Sequence, residues 1–157
     1  MKYAVWLDGV VLDVDLTDQL YEVYKGKSGV QLKYTEKVHE DWWRFYEKVK
    51  GNVIVLSPYD KETTEKLLSA IGLREEFTYN KGKTKPSREA MKDVNEDPLN
   101  LVVIGTSPLD LLSARFFDSR IKVVCVSRYR DCSKYSPYLQ EPNLDKAYES
   151  MRRLKLI

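Results

Sequence analysis

The run Tyr3 to Leu7, five apolar residues that break off at Asp8-Gly9, constrains the fold more than any other stretch. A short continuous apolar run bounded by a turn reads as a strand buried on both faces, and such strands belong to parallel sheets. Leu101-Val-Val-Ile104 repeats the design, ending in Gly105-Thr106-Ser107 and then Pro108, a favoured first residue of a helix. Between and around these two runs, apolar strand segments alternate with segments of helical periodicity. Strands are expected at about Lys2–Leu7, Asn52–Leu56, Phe77–Tyr79, Leu101–Ile104 and Ile121–Val126. Helices are expected at about Leu16–Tyr24, Glu36–Lys50, Lys61–Ile71, Pro86–Val94, Pro108–Phe117 and Leu144–Leu154. In the second helix Val38, Trp42, Phe45 and Val49 recur on one face, with Thr35 as its cap and Gly51 as its stop.

The alternation predicts an α/β fold: a Rossmann-like three-layer sandwich with a five-stranded parallel sheet. Right-handed crossovers place the carboxyl ends of all strands along one edge, where ligands bind in open α/β sheets. Asp8, Ser57, the loop before Pro86 and the stretch Thr106–Asp110 fall on or beside that edge. The chain of 157 residues reads as a single domain, 1–157, with a small helical cover at about 14–50.

Bulk properties narrow the function little. Lys and Arg number 26 against 24 Asp and Glu, a net charge of +2, which singles out neither nucleic acid nor membrane. No apolar stretch reaches the length of a membrane span and no leader is visible, so a cytoplasmic protein is expected. Cys125 and Cys132 lack metal-motif spacing, and Cys125 lies in an apolar run; both are expected to be reduced, with Cys125 inert in the core.

Four segments resemble the haloacid dehalogenase-like hydrolase superfamily. Leu7-Asp-Gly-Val-Val-Leu-Asp13 is similar to the tail of that family's first motif, Asp-x-Asp-Gly-Thr/Val. Val53-Ile-Val-Leu-Ser57 and the helix after it resemble the second, a strand ending in Ser or Thr. Lys85-Pro86 is similar to the third, and Val102-Val-Ile-Gly-Thr-Ser-Pro-Leu-Asp110 to the fourth, a strand ending in Gly-Asp-x-x-x-Asp. The resemblance implies a phosphohydrolase core in which Asp8 is the acid/base, Ser57 and Lys85 bind phosphate, and Asp110 helps to hold Mg²⁺.

The departures bear on activity. The family's nucleophilic, Mg²⁺-binding Asp is Trp6 here, and the metal-binding Asp of the fourth motif is Thr106. An indole has no lone pair with which to attack phosphorus, and Mg²⁺ requires oxygen ligands in near-octahedral order. Loss of a nucleophile costs about 10⁴–10⁶ in kcat. The expectation is therefore a pseudo-phosphatase without a cofactor, acting as a binding or scaffold protein. The alternative is an active Mg²⁺-dependent phosphohydrolase that uses Asp13 with Asp15, in the shifted register Asp13-Val-Asp15-Leu-Thr17, or Asp8 with Asp110.

Each residue also has a plainer role. Asp8 can cap a turn, Ser57 a helix, and Asp13 can be a solvated turn acid. Lys81, Lys83, Lys85 and Arg88 can form a solvated loop, or a patch for a phosphate-bearing macromolecule. Trp43 and Tyr46, with the single histidine His39, form a stripe that either closes the core or anchors an unknown protein partner. Arg128, Tyr129, Arg130, Lys134, Tyr135 and Tyr138 interleave base and ring, a composition that also suits nucleic acid.

Overall fold

A computed structural model describes residues 1–157. The chain order is β1 (Lys2–Trp6), α1 (Thr17–Tyr24), α2 (Trp42–Val49), β2 (Val53–Leu56), α3 (Lys61–Ile71), β3 (Glu76–Phe77), β4 (Leu101–Gly105), α4 (Pro108–Phe117), β5 (Lys122–Val126), β6 (Leu139–Glu141) and α5 (Leu144–Arg153). The strands form one sheet in the order β3-β2-β1-β4-β5-β6, parallel at every pairing. It has six strands, not the five expected. β6 lies between the expected strand Ile121–Val126 and the expected helix Leu144–Leu154; its Leu-Gln-Glu sequence has no apolar run to announce it, because an edge strand is only half-buried.

The four central strands are almost wholly buried, as their predominantly apolar content requires. Reversal of strand order occurs at β1, which pairs with β2 on one side and β4 on the other. Asp8 and the turn after β4 thus open onto the crevice between diverging connections. Helix ends follow local chemistry. Asp60 accepts a hydrogen bond from Thr63 N at 2.8 Å and Gly72 ends α3 at φ 73°. Ser107 caps α4 ahead of Pro108, and Asn143 caps α5.

Three boundaries differ from expectation. The second helix starts at Trp42, not Glu36, because the backbone of 37–39 is engaged elsewhere: Asp13 N donates to Lys37 O and His39 N to Val11 O, in a short antiparallel pairing. α2 packs against α5. Pro86–Val94 forms only a 3₁₀ turn, Arg88–Met91, and β3 is shorter than expected.

The cysteines also differ. Cys125 and Cys132 are joined by a disulfide, with Cα atoms 6.5 Å apart, instead of standing as free thiols. The seven-residue separation lets the chain leave β5 and return over it before β6 begins.

Candidate functional site

β1 delivers Trp6 and, two residues on, Asp8 to the carboxyl edge of the sheet. The chain then turns tightly: Leu12 N donates to Leu7 O and Gly9 N to Leu12 O, both at 2.9 Å. Residues 7–12 are all buried. Gly9 has φ 86°, and a Cβ on it would stand 2.1 Å from Thr106 Oγ1. The turn therefore needs glycine for its conformation and for its contact with the β4 turn.

Across the edge, Thr106 N donates to Asp110 Oδ2 at 2.8 Å, which fixes the Asp110 carboxylate at the start of α4. Lys85 enters from the loop before the 3₁₀ turn. Its ammonium lies 2.6 Å from Asp8 Oδ2 and 2.5 Å from Asp110 Oδ1, and 4.1 Å from the centroid of the Trp6 ring. Trp6 and Asp110 show no exposure; Asp8 and Lys85 show 3% each. Sequence reasoning placed Asp8, Lys85 and Asp110 at one edge, and the structure joins them into a single buried cluster.

One ammonium against two carboxylates leaves that cluster a net negative charge. Burial and the neighbouring Asp8 raise the Asp110 carboxyl, against the opposing pull of Lys85, to about 6. Burial works against the Lys85 charge, but Asp110 and Asp8 outweigh it and hold the ammonium above its ordinary range.

This donor set does not suit Mg²⁺. The positions flanking Asp8 and Asp110 are Trp6 and Thr106, and both carboxylates already face the Lys85 ammonium. No three acidic, histidine or cysteine side chains converge in a manner that could hold a metal ion. A hard dication needs several oxygen ligands and keeps bound waters, for which this sealed cluster has no place.

Ser57 is buried and bonded within its own turn. Thr64 Oγ1 donates to Asp60 O, so the 2.7 Å contact between Ser57 and Thr64 is donated by Ser57, which also accepts from Tyr59 N. Its single proton is committed to the start of α3.

The shifted-register acids have partners of their own. Tyr129 OH donates to Asp13 Oδ1 at 2.8 Å; that bond, His39 and Lys37 lower the Asp13 carboxyl. Asp15 accepts from Thr17 and Arg130; these outweigh its burial and lower its carboxyl too. His39 Nε2 lies 2.8 Å from Tyr129 OH, and burial with the nearby Arg128 lowers the imidazole. Arg128 makes a two-pronged contact with Asp41 and donates to Val10 O. Sequence reasoning missed this His39, Tyr129 and Asp41 network, which spans some ninety residues and leaves no local pattern. Within 127–138, Arg128, Tyr129 and Arg130 are bonded to these acids, while Tyr135 and Tyr138 stay exposed.

The aromatic stripe divides. Tyr46 is buried, with its hydroxyl donating to Glu75 at 2.8 Å, and burial pushes that hydroxyl up to about 12. It offers a partner little surface. Trp43 packs edge-on against Tyr46 and remains 38% exposed. Lys81 pairs with Asp93 at 3.0 Å, whereas Lys83 has no ion-pair partner.

The sheet order, the tight turn after β1 and the four motif positions together define a haloacid dehalogenase-like fold. Solved structures carry the same chain path. Magnesium-bound YfnB from Bacillus subtilis superposes with a TM-score of 0.70 at 11% identity, over 96% of this chain and 98% of that one. A haloacid dehalogenase-like protein from Agrobacterium tumefaciens gives 0.70 at 11%, over 99% of each chain. A HAD-superfamily hydrolase from Ehrlichia chaffeensis gives 0.67 at 14%, over 98% of this chain and 96% of that one. No protein-family model and no curated protein matches the chain by sequence. No helix is long and apolar enough to cross a membrane.

Proposed function

We propose that this chain is a non-catalytic haloacid dehalogenase-like domain that holds a phosphate-bearing ligand or a protein partner and does not hydrolyse phosphoesters. One observation carries the reading: the Lys85 ammonium is sealed between Asp8 and Asp110 against the Trp6 indole. A nucleophilic carboxylate has no seat where Trp6 stands. The general acid/base candidate Asp8 is held in a buried ion pair, out of reach of a proton on solvent or substrate. What survives is a rigid sheet edge with basic loops around it, an arrangement suited to binding.

A Mg²⁺-dependent assay over p-nitrophenyl phosphate and a panel of small phosphoesters tests the proposal. Turnover indistinguishable from a buffer blank is expected. Robust turnover that disappears in Asp8→Asn would overturn it.

A further inference from the structure

The groups of the sealed cluster face one another in an order that serves a condensation as well as an ion pair. Lys85 Nζ donates to Asp8 Oδ2 at 2.6 Å. The same nitrogen lies 2.5 Å from Asp110 Oδ1, but that oxygen is buried and makes no hydrogen bond. The contact therefore brings nitrogen and carboxyl group together without a proton set along the line between them. The other oxygen, Asp110 Oδ2, accepts from Thr106 N at 2.8 Å. A backbone N–H in that place draws charge onto the oxygen it binds and stabilises the oxyanion formed when a nucleophile adds to the carbon.

Burial favours the same outcome. Trp6 and Asp110 are fully buried, and Asp8 and Lys85 nearly so. In water an ammonium and a carboxylate outlast the amide they could form, because hydration stabilises both ions. That hydration is missing here, and a buried pair of charges is costly. An amide in its place removes the ammonium and one carboxylate at once. Groups held in reactive alignment reach effective molarities of about 10⁵–10⁸ M, which offsets the weak reactivity of a carboxyl group. Asp8 Oδ1 is buried with no hydrogen-bond partner, so no other group competes for a proton passing through that carboxylate.

From this arrangement we infer that Lys85 and Asp110 condense into an intramolecular isopeptide bond, with Asp8 carrying the protons. Asp8 relays two protons of the ammonium, one at a time, to Asp110 Oδ1. The first transfer frees the Nζ lone pair and makes Oδ1 a hydroxyl. Nζ then adds to Asp110 Cγ while Thr106 N–H holds Oδ2. The second transfer turns the hydroxyl into water as the Cγ–Oδ1 bond breaks. The third ammonium proton stays on the amide nitrogen, so Asp8 ends as the carboxylate it was and no other reactant is consumed. The bond ties the loop before the 3₁₀ turn to the start of α4. The ion pair is the state before it forms, and Asp110 no longer titrates afterwards. The inference rests on the sealing of the cluster and not on what the domain binds.

Intact mass and tryptic mapping of the folded protein after prolonged incubation, with the Cys125–Cys132 disulfide reduced, test it. The mass should lie below that of the sequence by one water. Trypsin should release a branched peptide in which 84–88 is joined to 93–115 through Lys85 and Asp110. Lys85→Arg should keep its full mass. Asp8→Asn, which retains the Lys85–Asp110 pair, should slow the loss of water about a hundredfold or more, with the circular dichroism spectrum unaltered. Full mass in the folded parent would overturn the bond. So would an equal loss of water in Lys85→Arg or in protein held unfolded in urea, as an imide at Asp8-Gly9 would give. A branch joining 84–88 to 3–25 would overturn the choice of Asp110. Asp8→Asn condensing as fast as the parent would overturn the role of Asp8. None of these outcomes reads phosphoester turnover, so the bond and the non-catalytic reading fail separately.

Discussion

The Nζ atom of Lys85 stands 4.1 Å from the centre of the Trp6 ring, so the indole forms the floor beneath the only cation in the buried cluster. A ring face attracts a cation, most strongly when both are desolvated. Trp6 and Lys85 therefore act together: the indole lies against the ammonium, and the ammonium neutralises part of the charge on Asp8 and Asp110.

Removing the ammonium should be severe. Lys85→Ala leaves two carboxylates buried side by side with no counter-charge, a loss of about 3–5 kcal/mol by analogy with other broken buried pairs. Urea denaturation should show that loss. Lys85→Met combined with Asp8→Asn should recover part of it, since both charges of one pair are then gone. A Lys85→Ala protein as stable as the parent would mean that the cluster is not sealed as described.

The Asp110 carboxyl gives this cluster a pH signature. Its pKa is raised to about 6 in the folded protein, from an ordinary 3.8. Between those values the native state holds a proton that the unfolded chain has lost, so stability falls as pH rises. The slope from one such group is at most about 1 kcal/mol per pH unit. Asp110→Asn removes the titration. The stability of the parent relative to Asp110→Asn should therefore decline from pH 4 to pH 6 and then level off, as measured by urea midpoints at each pH.

The central strands and the gathering of Asp8, Lys85 and Asp110 at one edge were legible because each rests on a local pattern: an apolar run, then a turn. β6 was not, because Leu139, Gln140 and Glu141 lie half-buried at the sheet edge and need no such run. The helix start at Trp42 was misplaced because Val38 continues the apolar spacing of Trp42 and Phe45 while its backbone pairs with Leu12. The destination of Lys85 could be read only as far as the edge. That its ammonium bridges two acids over Trp6 depends on side-chain packing from three separate segments, which no spacing encodes.

Arg128 and Asp41 bring the loop after β5 onto the helix layer. Asp41 is 5% exposed, and besides Arg128 it accepts from Leu144 N at 2.9 Å. Burial raises its carboxyl, but these partners outweigh burial and leave it lowered. The sign is thus opposite to that of Asp110: stability from this group is present above the unfolded pKa and is lost as pH falls through the folded one. Arg128→Ala should cost about 3–5 kcal/mol near neutrality, with the deficit shrinking on acidification. Arg128→Lys should recover only part, because an ammonium cannot reproduce the two-pronged contact. Thermal and urea unfolding at pH 7 and pH 3 would check both statements.

Cys125 and Cys132 close a short loop that carries Arg128, Tyr129 and Arg130 to their acidic partners. Alkylation of the denatured, unreduced protein should label no thiol, and reduction should expose two. Because the crosslink restricts the unfolded chain, Cys132→Ser should cost about 2 kcal/mol.

Gly9 offers a test of how tightly the two turns are fitted. A Cβ there meets Thr106 Oγ1 at 2.1 Å and also sits at φ 86°, so Gly9→Ala carries a clash and a conformational penalty together. The two separate by a double-mutant cycle. Overpacking costs about 1–3 kcal/mol, and the left-handed conformation about 1 kcal/mol more. Thr106→Gly should relieve the first and leave the second, so Gly9→Ala should be milder in the Thr106→Gly background than in the parent. Additive losses would place Thr106 away from Gly9 and separate the β1 turn from the β4 turn.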